Sequence, residues 1–78
     1  MKSHSDPEHY TQYDIEPATF IMRNGLDFWR GAIIKYVMRA GYKDVVGLTK
    51  AQAEIADLQK ATRFAQMRIN QLNGETEL

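Results

Sequence analysis

The sequence predicts an all-α fold: a small three-helix domain with a long C-terminal helix, completed by oligomerisation. Two apolar patterns indicate helices, because hydrophobic residues recur every three or four positions over residues 27–40 and over residues 49–72. The third observation is size. A chain of 78 residues without Cys buries only roughly 60–65% of its unfolded surface and has no disulfide to compensate. Association of subunits is then the remaining source of stability.

We predict a single helical domain over residues 9–73, with an acidic leader over residues 1–8 and a short tail over residues 74–78. The leader has almost no apolar residue to bury. No apolar run approaches the roughly 18 residues of a membrane span, and the N-terminal residues lack the apolar core of a signal peptide. We therefore expect a cytoplasmic protein without a membrane partner.

The first helix is expected to begin near Pro17 and to end at Asn24-Gly25. The fixed φ of proline suits the first helical turn, and Asn-Gly is a common terminating pair. Its apolar residues are too few to show a period, so the sequence leaves its packing face open: Phe20, Ile21 and Met22.

The second helix is expected from Leu26 or Asp27 to Ala40. An acid suits the positive start of a helix, and Gly41 can adopt the left-handed conformation that closes one. Gly31 costs about 0.5–1 kcal/mol relative to Ala, and such a glycine usually marks the close approach of another group. The predicted core stripe follows one helical face: Trp29, Ile33, Tyr36, Val37 and Ala40.

The third helix is expected to begin with a capping box, Thr49 with Gln52, and to end near Leu72. At about 1.5 Å per residue it spans roughly 35 Å. Its apolar residues alternate by four and three, as in the seam of a helical pair, so we predict a homo-oligomer through the helix 49–72. The seam comprises Ala51, Ile55, Leu58, Thr62, Ala65, Ile69 and Leu72, and a second edge of Ala61, Phe64 and Met67 widens it.

The net charge of zero hides a basic centre. Residues 23–43 carry five basic side chains and one acidic one, whereas residues 1–16 carry one basic and four acidic ones. Trp29, Tyr36 and Tyr42 lie among these cations. Because Arg and Lys bind phosphate and aromatic rings stack on a base, this segment predicts a nucleotide ligand. The acidic leader and the neutral total charge argue against nucleic acid as the partner.

Several residues that are candidates for ligand binding are also explained by ordinary surface charge. Lys35, Arg39 and Lys43 share a helix face and are candidates for phosphate binding, but they also suit a solvated basic face, and Arg39 suits the negative end of its helix. Glu54 and Asp57 suit surface charge, a magnesium pair, or ion pairs with Lys35 and Arg39 across a helix interface.

Some of these residues form a longer pattern: H-Y, then K-Y-x-x-R-A-G-x-K, then D-L-x-K-A. In this pattern the sequence resembles a small phage-encoded family labelled nucleotide kinase, over about residues 9–64. That family is similar to part of a podophage enzyme that phosphorylates deoxynucleoside monophosphates without a Walker motif or a required metal. This sequence has Gly31-Ala32 where the family usually has Gly-Asn.

The resemblance implies a nucleotide phosphate beside Tyr10, Lys35, Tyr36, Arg39 and Lys43, with Asp57 and Lys60 in support, and with His9 as the proton carrier. Arg30 from the basic centre completes the predicted set. The resemblance also implies that the protein is a deoxynucleoside monophosphate kinase of the infected host cytoplasm. Such an enzyme would require no metal and no cofactor beyond its nucleotide ligand. The alternative is a non-catalytic oligomer that sequesters a signalling nucleotide. No G-x-x-x-x-G-K-[ST] loop is present, so helices would hold the phosphate.

Overall fold

The computed structural model, which describes residues 13–77, contains three α-helices: α1 (Pro17–Arg23), α2 (Phe28–Arg39) and α3 (Lys50–Leu72). No strand occurs among these residues, so the predicted all-α fold with a long C-terminal helix is confirmed. The helix α2 packs against both α1 and α3. The Cα atoms fit within 40 × 33 × 16 Å, which makes the molecule a thin slab. None of the three helices is both long and apolar enough to cross a membrane.

The local signals in the sequence correctly place the helix boundaries. Pro17 occupies the first turn of α1. The side chain of Asp27 caps α2 by accepting a hydrogen bond of 2.9 Å from the backbone N–H of Arg30. Thr49 and Gln52 form the predicted reciprocal capping box at the start of α3, with hydrogen bonds of 2.8 and 3.1 Å. These contacts satisfy backbone donors that the first helical turn leaves unpaired.

The interior of the described chain is built from alanine. Its buried apolar residues are Ala40, Ala53 and Ala61, and no large side chain is fully buried. The core stripe predicted for α2 is only partly sequestered, because Trp29 is half-buried and Val37 is exposed. Small side chains let α2 and α3 approach closely, and the larger apolar side chains around them remain in contact with water.

Gly31 lies where α1 packs on α2. A Cβ at this position would come within 3.1 Å of the Ile21 Cγ2 atom, which is closer than ordinary van der Waals contact. The close approach predicted at Gly31 is therefore confirmed, and the approaching group is a side chain of α1.

Gly41 closes α2 and touches α3. Its φ of +83° lies in the left-handed region, where a side chain is disfavoured. A Cβ there would also lie 3.2 Å from Oε1 of Glu54. The left-handed backbone conformation therefore favours glycine, and a side chain there would also require the Glu54 carboxylate to shift slightly.

The residues before α1 are attached to the C-terminal half of α2. The hydroxyl of Tyr13 donates a hydrogen bond of 2.6 Å to the carbonyl oxygen of Met38. The Tyr13 ring also meets Tyr42 edge to face, with centroids 5.9 Å apart. The segment leading into α1 is thus held across α2.

The helix α3 packs on α2 through a face that differs from the predicted seam. Ala53, Asp57 and Ala61 face α2 and are buried, whereas Ile55 and Leu58 of the seam are exposed. At 3.6 residues per turn the two faces lie about 120° apart around the helix. The seam therefore has no partner within residues 13–77, and the predicted oligomer remains a prediction.

An ion pair joins α2 to α3 beside the buried alanines. The guanidinium of Arg39 donates to Oδ1 of Asp57 from Nε at 3.2 Å and from Nη2 at 3.0 Å. The two side chains are only 11% and 7% exposed. Pairing of Asp57 with Arg39 across the helix interface is thus confirmed, and the surface interpretation of Asp57 is wrong because the carboxylate is buried. Glu54, by contrast, is exposed.

Removal of one partner of this pair is expected to destabilise the protein. Asp57→Ala should lower the free energy of unfolding by about 3 kcal/mol, because it removes a buried carboxylate that accepts two hydrogen bonds from a guanidinium. Arg39→Met combined with Asp57→Leu should cost less than the two single changes added together, because the two residues interact with each other. Chemical denaturation at one fixed protein concentration measures the unaltered protein and each of these variants.

Asp44→Ala is the matched control, since it breaks the exposed pair between Lys50 and Asp44, whose atoms lie 3.0 Å apart. We expect that change to cost about 0.5 kcal/mol or less. Equal losses from Asp57→Ala and Asp44→Ala would contradict a structural role for the interhelical pair.

Candidate functional site

One concavity of the described chain is apolar. It measures about 590 Å³, lies between the residues before α1, α1 itself and α2, and is lined by Tyr13, Asp14, Ile15, Phe20, Ile33, Ile34, Val37 and Met38. No Lys or Arg within residues 13–77 lines it. Because a phosphate group needs cationic or N–H donors, this concavity does not suit a phosphorylated ligand.

A second concavity combines aromatic rings with charge, and we term it the aromatic cleft. Its volume of about 480 Å³ falls within the range of about 300–1,000 Å³ that is usual for small-molecule sites. All three helices contribute to its walls. The lining residues are Ile21, Leu26, Asp27, Phe28, Gly31, Ala32, Lys35, Tyr36 and Phe64.

Helical spacing places most of these groups on one face of α2. Phe28, Ala32, Lys35 and Tyr36 follow one another at intervals of four, three and one, so they occupy neighbouring turns on the same side. Phe64 completes the cleft from α3. Asp57 lies seven residues earlier on that helix, two turns along the same face, so the Arg39–Asp57 contact also positions Phe64.

The rings of the cleft are not equally available to a ligand. Phe64 stacks on Tyr36 with centroids 5.6 Å apart and planes 14° apart, and it meets Phe28 edge to face at 5.8 Å. Tyr36 also lies under two cations, the guanidinium of Arg39 at 4.6 Å and the ammonium of Lys60 at 5.4 Å from the ring centroid. The Tyr36 ring is therefore engaged within the chain. Phe28 is 66% exposed and is the ring open to a flat ligand.

The cleft carries one positive and one negative side chain, Lys35 and Asp27. The backbone N–H and the guanidinium of Arg30 donate to Asp27 at 2.9 and 2.6 Å. These two hydrogen bonds lower the pKa of Asp27 below its ordinary value, so its carboxylate is ionised throughout the neutral range. Each oxygen keeps a lone pair with which it can accept a further N–H or O–H donor.

The predicted site residues divide among several surroundings. Lys35 and Tyr36 line the cleft, while Arg39, Asp57 and Lys60 form the contacts behind the Tyr36 ring. Lys43 lines a separate depression of about 90 Å³ that also includes Lys50, and Arg30 pairs with Asp27. His9 and Tyr10 lie outside the described residues.

Of the nine residues that line the cleft, seven were not singled out as ligand-binding from the sequence, and three of these carry a charge or a ring: Asp27, Phe28 and Phe64. A local signal existed for Phe28, because it precedes Lys35 by two helical turns and shares its face. Phe64 had no such signal, since its contact with Tyr36 depends on how α3 packs on α2. Asp27 was recognised only as the start of a helix. Among residues 13–77, no three His, Asp or Glu side chains are grouped so as to hold a metal ion.

The chain matches one known protein family. Residues 4–66 match DUF3310, a family described as proteins of unknown function, and this range contains every residue of the aromatic cleft. Neither the curated proteins nor the solved structures include a match. Since the matched range covers most of the 78 residues, the chain belongs to the DUF3310 family.

Proposed function

We propose that the protein binds a nucleoside monophosphate in the aromatic cleft, with the base against Phe28 and the phosphate at Lys35. The observation that carries this proposal is the presence of an exposed aromatic ring and an ammonium group in one cleft. Stacking on an aromatic ring accepts any base, and Lys binds phosphate as a point charge.

The spacing of the two groups suits such a ligand. Lys35 lies two turns beyond Phe28, about 10 Å along the axis of α2. Long side chains of a helix tend to lean toward its N-terminus, and a Lys35 side chain in such a rotamer brings its ammonium closer to Phe28 than the backbone spacing does. A base and its phosphate can therefore contact the two residues together.

The charges favour a ligand with few phosphates. Among residues 13–77, Lys35 is the cation that lines the cleft, and Asp27 adds a negative charge nearby. Arg39 is paired with Asp57, and Lys60 lies over the Tyr36 ring. A single phosphate matches one cation better than a triphosphate does.

The same charges favour binding without chemistry over the phosphoryl transfer implied by the sequence resemblance. Transfer between two phosphate-bearing ligands depends on several cations arranged around the moving group. One cation in the cleft of a single subunit suffices for binding, as a protein that sequesters a nucleotide requires. A deoxynucleoside monophosphate kinase remains the second candidate, with His9 as its proposed proton carrier.

Lys35→Ala is expected to weaken binding of deoxynucleoside monophosphates about tenfold, because a charge-assisted contact to phosphate is lost. Phe28→Leu should weaken it by about tenfold as well, through loss of stacking on the base. Titration calorimetry across the common nucleoside monophosphates measures both effects and identifies the preferred base.

Arg63→Ala is the matched control for the charge change, because Arg63 is an exposed residue of α3 that does not line the cleft. The Arg63→Ala variant should bind deoxynucleoside monophosphates with the same affinity as the unaltered protein. Absence of nucleotide binding, or equal weakening by Lys35→Ala and Arg63→Ala, would contradict the proposed site. Arg39 is a poor probe of ligand contact, since its removal also breaks the pair with Asp57.

Binding and catalysis are separated by the fate of the ligand. After incubation with ATP and a deoxynucleoside monophosphate, with and without a chelator, we expect mass spectrometry to recover the monophosphate intact. Accumulation of the diphosphate in proportion to protein concentration would instead establish the kinase.

A further inference from the structure

The exposed face of α3 carries a regular apolar seam. From Ala51 to Leu72 its positions alternate by four and three residues. The four large members are between 41% and 68% exposed: Ile55, Leu58, Ile69 and Leu72. The remaining members are small: Ala51, Thr62 and Ala65. A seam of this period and length matches another helix with the same repeat.

We propose that two copies of the chain pair through this seam as an antiparallel dimer, with the two-fold axis passing near residue 60. Reversing one helix brings Ile55 opposite Ala65 of the second copy and Leu58 opposite Thr62 of the second copy. Because the same surface serves both copies, the interface closes on itself and does not propagate into a fibre.

Side-chain volumes select this register. Ala51 comes opposite Ile69 of the second copy, so each small side chain faces a large one. In a parallel pair Ala51, Thr62 and Ala65 would each face their own copies and leave gaps. A shift of one heptad in either direction places two small side chains opposite each other. Packing at the density of protein interiors disfavours those gaps.

Charge complementarity selects the same arrangement. Glu54 and Arg68 flank the seam, and neither forms an ion pair within residues 13–77. The antiparallel register sets Glu54 of each copy against Arg68 of the other, which gives two pairs per dimer. A parallel pair would instead set Glu54 against Gln59. The pairing also covers apolar surface that the thin slab leaves exposed.

Single cysteines test the orientation, since the chain contains no Cys. Gln59 and Gln66 are exposed residues beside the seam. In the proposed dimer the two copies of residue 59 lie about 3 Å apart along the axis, and those of residue 66 about 18 Å apart. Gln59→Cys should therefore be cross-linked efficiently by a short bismaleimide, and Gln66→Cys should not.

Cross-linking at both positions would indicate a parallel pair and overturn the proposal, as would cross-linking at residue 66 alone or at neither position.

Charge reversals then test the register. Glu54→Arg and Arg68→Glu should each weaken dimerisation about tenfold in sedimentation equilibrium, and the two together should restore it. A double variant as weak as the single ones, or a monomeric parent protein, overturns the register. All these measurements are made without nucleotide, so their outcome is independent of ligand binding.

Discussion

The ion pair between Arg39 and Asp57 determines how α3 lies on α2. Alanines surround this contact, and alanines alone leave the rotation of one helix against the other weakly specified, because they present little shape to interlock. A buried carboxylate must instead face its guanidinium. Once Asp57 faces α2, helical geometry fixes the direction of every other residue of α3. Phe64, two turns further on, is thereby brought onto Tyr36 and into the cleft.

The same rotation divides α3 into surfaces with different uses. One face completes the aromatic cleft, and the seam points about a third of a turn away from it. If large apolar residues held α3 on α2, the seam would pack against α2 within the same chain. Here the polar pair takes the intramolecular position, and the seam remains exposed. The exposed apolar side chains of this small domain are therefore a consequence of how its interior is built.

Features that depend on neighbouring residues in sequence were predictable. The proline start of α1, the Asp27 cap and the Thr49–Gln52 box fix helix boundaries through local hydrogen bonds and backbone preference. Contacts between helices were harder to predict from the sequence. The repeat of apolar residues along the seam of α3 was recognisable, but the face that packs on α2 consists of small residues and an acid, which do not form a typical hydrophobic pattern. Lys35 and Tyr36, which line the cleft, were predicted as site residues because they lie on one helix. The position of Phe64 in the cleft depends on how α3 packs on α2.

The turn after α2 lies beside the side chain of Glu54 on α3. A Cβ at position 41 would be 3.2 Å from Oε1 of Glu54, so the flexible end of that side chain would have to move slightly. Glu54 is also the acidic residue that flanks the seam. Any residue with a Cβ at position 41 would thus shift this carboxylate by a few tenths of an ångström. The backbone of the turn after α2 and the position of a negative charge beside the seam are thereby linked.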